Sequence, residues 1–513
     1  MSASRSEPMQ RLLPLGPVSL RLLLFACGAL LPLAFAPFAY WILAPLLVLP
    51  MLLVGLHAPP RLAAWLGFSF GAGLFLAGTY WIFISIHDFG NAPLWLSVVL
   101  TLGVVAIMAA WFALCGWLLS RLVDGRPWRL VSIGPSVWVL VEWLRGWVLS
   151  GFPWLTLGYS QSDSPLSHWL PVTGVYGVSM LLVLSSAGLV LFAYPQTRWR
   201  AALIVLLPWL LGAGLSQHAW TEATGKLLEV TMIQGGVPQD RKWLPEQFQP
   251  TLRLYRDALL GAGDSDIVIW PEVAIPSSDD RVQPYLDLLQ RDLLAGQSLL
   301  LGILERDTEG GEERIYNSVL LLDGSRQQTY RKRHLVPFGE YFPVPGFVRE
   351  WMRLMSLPNS DLSAGAAQQA LLETPAGQRI AVAICYEDAY GAEQLYAFPA
   401  ASLIVNVSND AWFGDSIAPH QHLQIARTRG AEAGRYVMRA TNNGVSALIA
   451  PDGSVVAIAP QFEFASLSGS VQPMRGMTPY ARTGNWPVVS LALLIIVLSA
   501  WRERRAAQRA ESK

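Results

Sequence analysis

Cysteine is scarce in this chain: only Cys27, Cys115 and Cys385 occur in 513 residues. Charge is sparse too, with Lys, Arg, Asp and Glu making up 14% of the sequence, against about 25% in soluble globular proteins. The two signs cancel at 37 residues each, so there is no basic excess to suit a nucleic-acid partner. No glycine-rich loop of the Walker type is present, which removes the usual signature of nucleotide-driven chemistry. His420 and His422 have no third ligand at metal-binding spacing and are better explained as the start of a helix, so no metal site is expected.

What is abundant is apolar surface. Hydrophobic residues make up 52% of the chain, 21 residues are Trp, and the mean hydropathy is +0.36. Much of the chain must therefore dissolve in lipid. Apolar runs of the roughly 20 residues needed to span a bilayer fall at about 18–36, 41–57, 62–86, 94–120, 130–149, 169–194, 201–217 and 486–501. These predict a multi-pass bundle of about eight helices, with residues 1–217 as the N-terminal bundle and 485–513 as a closing helix with a basic tail. Between them, 218–484 has the mixed texture of an α/β domain.

Arginine placement orients the bundle. Arg5 and Arg11, Arg61, the Arg121–Arg126–Arg129 group, Arg198 and Arg200, and the tail from Arg502 to Lys513 occupy every second connection, while the short alternate ones, near Pro37, His87–Pro93 and Ser150–His168, hold neither Lys nor Arg. By the positive-inside rule both termini are expected to be cytoplasmic and 218–484 to lie outside the cytoplasm. The run ending at Ala36 resembles a signal peptide, but Pro37 directly after it should block cleavage. Glu142 and Arg145, three apart near the outer end of the fifth span, are expected to share a helix face, most simply as a structural pair. The aromatic, uncharged loop 150–160 is expected at the lipid interface or in a lipid-binding cavity.

Within 218–484, strands are predicted at 227–234, 266–270, 298–304, 315–322, 379–385, 403–407, 436–441 and 446–450, and helices at 245–261, 282–296, 392–398 and 420–434. That alternation predicts layered α/β architecture. Arg379-Ile-Ala-Val-Ala-Ile-Cys385-Tyr386-Glu387-Asp388 is an apolar strand that stops at a thiol, the place where α/β sheets hold reactive groups. A small buried hydrophobe is the plainer role for a cysteine. An unpaired thiol in an oxidising compartment nevertheless invites a functional explanation. Two further segments offer partners: Trp270-Pro271-Glu272 at a strand tip, and Lys332-Arg-His-Leu-Val-Pro-Phe-Gly-Glu340 in a proline-containing turn. A thiol nucleophile needs such a base and a nearby cation.

This ordered set, Glu272, Lys332 and Cys385, resembles the nitrilase superfamily, whose catalytic triad is Glu, Lys and Cys. With the membrane helices, Gly151-Phe-Pro-Trp154 and Gln234-Gly235 followed by Trp243, nearly the whole chain resembles the bacterial apolipoprotein N-acyltransferases. The resemblance implies an αββα sandwich carried on the bundle. It implies transfer of an acyl chain from a membrane phospholipid, chiefly phosphatidylethanolamine, through a Cys385 thioester to the N-terminal amine of the diacylglyceryl-cysteine of apolipoproteins. No cofactor is implied, since ester, thioester and amide interconvert without external activation.

In that scheme Glu272 is the general base, while Lys332 stabilises the oxyanion together with the Tyr386 backbone N–H. Glu340 positions Lys332 or the incoming amine, Tyr386 and Glu387 support the nucleophile loop, and Trp243 lines the entrance. Arg333 departs from the polar neutral residue expected after the lysine. The apolar stretch 342–357 is expected to be a lid touching the membrane. Two rival functions are a membrane-tethered amidase that hydrolyses a small amide and a transporter with a binding domain. The apolar lid speaks against the first, and sparse intramembrane charge against the second.

Overall fold

The computed structural model describes residues 16–308, 313–341 and 362–511, and the described chain divides into two compact units. The first comprises Met1–Ala219, Asp415–Gln424 and Pro479–Lys513, and the second Trp220–Gly414 and Ile425–Thr478. The expected lid at 342–357 lies outside the described residues.

The first unit is helical because its sequence offers almost nothing but apolar side chains, and only internally hydrogen-bonded helices are stable in lipid. Among the described residues, five helices are long and apolar enough to cross a membrane: Pro17–Ala34, Pro60–Gly78, Leu94–Val123, Pro165–Leu191 and Pro195–Leu215. Leu43–His57 and Trp486–Arg502 are shorter apolar helices. The remaining expected span is helix Pro127–Arg145, which carries Arg129, Glu142 and Arg145. Small residues set the close crossings. A Cβ on Gly28 would strike the Phe70 carbonyl, and one on Gly73 would strike that of Phe25, so the first two long helices meet backbone to backbone.

Glu142 and Arg145 are both buried. Glu142 accepts the Leu157 N–H at 2.8 Å, while Arg145 donates to the carbonyls of Phe152 and of Trp154, the latter at 2.7 Å. They act structurally, gripping the loop that follows their helix. That loop folds inward: Trp154, Leu155, Leu157 and Tyr159 are all buried, and Trp154 Nε1 donates to Gln421 Oε1 at 2.6 Å. His420 and His422 lie at the start of helix Ala418–Ala433.

The second unit is an αββα sandwich. One six-stranded sheet runs in the order Ala465–Val471, Leu228–Gln234, Ile267–Ile269, Ser298–Asp307, Arg314–Leu322, Gln327–Arg331, and the other Val455–Ile458, Ala447–Ile449, Val437–Thr441, Leu403–Ser408, Arg379–Ile384, Leu372–Glu373. Val437–Thr441, Leu403–Ser408 and Arg379–Ile384 of the second sheet are parallel, as are Leu228–Gln234, Ile267–Ile269 and Ser298–Asp307 of the first. Alternate residues of both sheets, among them Val230, Ile269, Leu321, Val382, Val405 and Met438, interlock in one core. The opposite face of the first sheet packs on helices Pro245–Gly261 and Gln283–Asp292 through Leu252, Tyr255, Leu286 and Leu289. The second sheet is covered by Ile425–Ala433, where Arg427 donates to the Gly453 carbonyl and Gly430 lies against Val437.

All eight predicted strands are present. Glu222–Ala223, Gln327–Arg331, Leu372–Glu373, Val455–Ile458, Ala465–Val471 and Met474–Arg475 were not foreseen. These are short or edge strands, and Ala465–Val471 alternates serine with Ala, Leu, Gly and Val, a weak hydrophobic signal.

Candidate active site

Parallel strands direct their C-terminal ends to one edge of the sandwich, and the loops leaving those ends supply the site. Ile267–Ile269 is followed by Trp270, Pro271 and Glu272, Arg379–Ile384 by Cys385, Leu403–Ser408 by Asn409, and Gln327–Arg331 by Lys332. Of the expected residues, Glu272, Lys332 and Glu340 are brought into direct contact. Lys332 Nζ donates to Glu340 Oε1 at 2.8 Å and to Glu272 Oε1 at 3.3 Å, with its side chain only 1% exposed. Burial alone would push this ammonium down, but Glu340 and Glu272 outweigh burial and hold it above its ordinary value.

Asn317 joins the two carboxylates, its Nδ2 donating to Glu272 Oε1 at 2.7 Å and to Glu340 Oε1 at 3.0 Å. The Asn409 backbone N–H donates to the other Glu272 oxygen at 2.8 Å, and the Asn409 side chain is tied in turn to Gln239 and Asn442. Glu272 therefore has a fixed orientation, with both oxygens engaged.

Cys385 begins a short 3₁₀ turn in the left-handed region, at φ 52°, a conformation that costs a non-glycine residue free energy and marks sites where geometry is imposed. It keeps part of its surface accessible. Burial pushes its thiol well above the ordinary range; Glu272 adds to that rise, and Lys332 opposes it. The resting sulfur is thus a neutral thiol beside a carboxylate and an ammonium.

Glu387 ties the turn that begins at Cys385 to the lysine loop. Its buried carboxylate accepts the Ile384 N–H at 2.7 Å, the Arg333 N–H at 2.7 Å and the Tyr330 hydroxyl. Burial raises its pKa, and the two backbone donors act against that rise. Arg333, the residue that departs from the expected pattern, sets its guanidinium 3.9 Å from Glu387 Oε1, with Nε donating to the Tyr330 hydroxyl at 2.9 Å, and also donates to the carbonyls of Ala367 and Glu393. The Tyr386 ring packs edge-on to Tyr390, which stacks on His334 at 3.6 Å. Trp243 is 52% exposed at the rim.

Several site residues were not singled out from sequence: Lys242, Asn317, Ser408, Asn409, Asp410 and Arg439. Arg439 is fully buried mid-strand and donates to Asp410 Oδ2 at 2.7 Å and to Asn406; Ser408 donates to Asp410 Oδ1 at 2.8 Å. The available signal was a polar residue interrupting a buried apolar strand, as Asn317 and Arg439 both do.

Gly302 shows how closely the Glu272 turn is held. A Cβ there would lie 2.7 Å from Glu272 Cα and from the Val273 nitrogen, both backbone atoms that cannot swing aside. Gly302→Ala should displace Glu272 by a fraction of an ångström and slow turnover by between about ten- and a hundredfold. Activity assayed at matched folded concentration checks this, and an unchanged rate would show the turn to be tolerant.

Residues 27–188 match the family model of the apolipoprotein N-acyltransferase N-terminal domain, and residues 229–475 match that of carbon-nitrogen hydrolases. The apolipoprotein N-acyltransferase of Azotobacter vinelandii is 44% identical over 493 residues, covering 94% of this chain and 95% of its own. That of Methylococcus capsulatus is 42% identical, covering 95% and 97%. Among solved structures, a glutamine-dependent NAD+ synthetase from Acinetobacter baumannii is similar over 48% of this chain and 45% of its own, at 15% identity and a TM-score of 0.33, a likeness too slight to carry weight. Because the identity extends through both the helical and the α/β regions, the chain belongs to the apolipoprotein N-acyltransferase family.

Proposed function

We propose that the chain takes an acyl group from a membrane phospholipid onto Cys385 and passes it to the N-terminal amine of a diacylglyceryl-cysteine on an apolipoprotein, with the α/β unit on the periplasmic side of the inner membrane. The observation that carries this is the neutral Cys385 thiol set beside Glu272, which has both oxygens fixed, and the doubly paired Lys332. Glu272 takes the thiol proton as sulfur attacks the ester carbonyl. Lys332 stabilises the tetrahedral oxyanion, and collapse releases the lysolipid alkoxide, which recovers the proton from Glu272. In the second half-reaction the amine attacks the thioester, Glu272 accepts its proton, and the departing sulfur takes it back. Glu340 holds Lys332 throughout, and Tyr386 and Glu387 support the turn that carries the nucleophile.

A lipid donor, rather than a soluble amide, is favoured by the surface around the site. Among the described residues of the second unit, the exposed Trp and Phe side chains are Trp243, Phe338, Trp412, Phe462 and Phe464. Trp243, Phe338, Phe462 and Phe464 lie on loops, and Trp412 on the 3₁₀ turn Asp410–Phe413, at the edge where the parallel strands end. Exposed aromatics gathered there suit an apolar substrate.

The test is intact-mass measurement followed by peptide mapping after mixing the protein with phosphatidylethanolamine in detergent. A hydroxylamine-sensitive acyl adduct on the Cys385 peptide is expected. Release of free fatty acid or cleavage of a soluble amide with no adduct would favour the hydrolase instead.

A further inference from the structure

Lys242 stands out as a charge that the mechanism does not use. It lies on the loop after strand Leu228–Gln234, is 2% exposed, and donates from Nζ to the Glu272 backbone carbonyl at 3.3 Å. Among the described residues it makes no ion pair. Lys332, by contrast, is held by two carboxylates. A buried ammonium without a counter-ion is costly, and such groups persist where a ligand supplies the missing charge. Burial accordingly pushes its pKa down to about 8, only partly offset by the charge of Glu272, so near neutral pH it is still mostly protonated and in want of an anion.

Lys242 also lines a cavity of about 310 Å³ walled by Trp243, Phe248 and Ser277. That is room for a small polar headgroup on an apolar floor. The proposed acyl donor carries one anion, its phosphodiester, a few bonds from the ester under attack.

We propose that Lys242 and this cavity form an anion subsite that takes the phosphate of the acyl donor and so selects phospholipids over uncharged esters. The inference rests on the acyl-transfer function proposed above. On binding, the phosphodiester oxygen replaces the missing counter-ion, and the ester next to it is held at the Glu272 end of the site. The cost of keeping a buried cation unpaired in the free protein is thereby recovered as donor selectivity.

The test compares two donors with identical acyl chains, phosphatidylethanolamine and diacylglycerol, in the same detergent micelles, reading the rate of Cys385 acylation by intact mass. The wild type is expected to prefer the phospholipid at least tenfold. In Lys242→Met that ratio should collapse toward one whatever loss the two donors share, and Lys242→Arg, which keeps the charge, should retain most of it. A ratio left intact in Lys242→Met overturns the proposal and makes Lys242 a support of the Glu272 backbone alone. Competition by millimolar inorganic phosphate in a wild type that shows no donor preference assigns the cavity to free phosphate and overturns the headgroup assignment. A wild type that forms no adduct with either donor sinks the acyl-transfer function itself, an outcome distinct from adducts that form equally well from both.

Discussion

Glu272→Gln is expected to slow acylation of Cys385 by ~10³-fold, about 4 kcal/mol of barrier, while making the thiol easier to ionise. The two effects have opposite signs because Glu272 acts on the sulfur in two ways. Its negative charge is one of the causes, after burial, of the raised thiol pKa, so a neutral amide lets that pKa fall. In its proposed role of base, however, Glu272 removes the proton during attack, and an amide cannot. Alkylation of Cys385 by iodoacetamide, which needs only thiolate, should therefore reach its plateau at lower pH in the variant than in the wild type.

A residue with a merely structural role would lower both rates together. The substitution is not silent for the fold: glutamine sets an N–H against one of the donors that now engage Glu272, from Asn317 or Asn409, costing about 1–3 kcal/mol. Acylation within tenfold of wild type would remove Glu272 from the role of base.

The raised thiol pKa also has a consequence for stability. Because the folded thiol ionises at higher pH than the unfolded one, the unfolded chain loses its proton first as pH rises. The native state is then progressively disfavoured from about pH 8.5 upward, until the folded thiol itself ionises. Lys332 has the same sense: the stability from its two ion pairs is fully present below the unfolded lysine value of about 10.4 and is lost as pH rises through its higher folded value.

The legible part of the site was the part carried by chain-local contrast. An apolar run that ends in Cys385-Tyr386-Glu387, or in Trp270-Pro271-Glu272, announces a strand and its tip at once. Glu387 was readable as support because a carboxylate two residues after the thiol must either be solvated or accept backbone donors, and it accepts those of Ile384 and Arg333. What stayed hidden depends on pairing between distant segments. Asn317 looks like an ordinary polar residue in a strand until the fold brings Glu272 and Glu340 to its amide from 45 and 23 residues away. The missed edge strands carry little hydrophobic periodicity of their own and are held by the ladders beside them. In the first unit, hydropathy located the helices well but left two places open for the loop after Arg145, because what holds Trp154 inward is its pairing with Arg145 and with Gln421, 267 residues on.

Arg439→Met is the second large effect, and it falls on stability first. The guanidinium is fully buried between Asp410, also fully buried, and Asp388, 3.5 Å away on the turn that begins at Cys385. Methionine fills much of the volume but takes the buried guanidinium away from the carboxylates of Asp410 and Asp388, which costs about 3–5 kcal/mol and corresponds to a fall of about 10 °C in melting temperature for a unit of this size. Thermal unfolding in detergent, monitored separately for the α/β unit, measures it. If the loss comes from stranded charge rather than from a cavity, adding Asp410→Asn should restore part of it, since the two changes share one network. Asp410 also raises the Cys385 pKa. With its cation gone that influence should grow, so Arg439→Met should slow alkylation of the residual folded protein, and the double variant should reverse the slowing. Recovery of stability without recovery of thiol reactivity would confine Arg439 to holding the strands together; recovery of both would extend its effect, through Asp410, to the charge balance at the nucleophile.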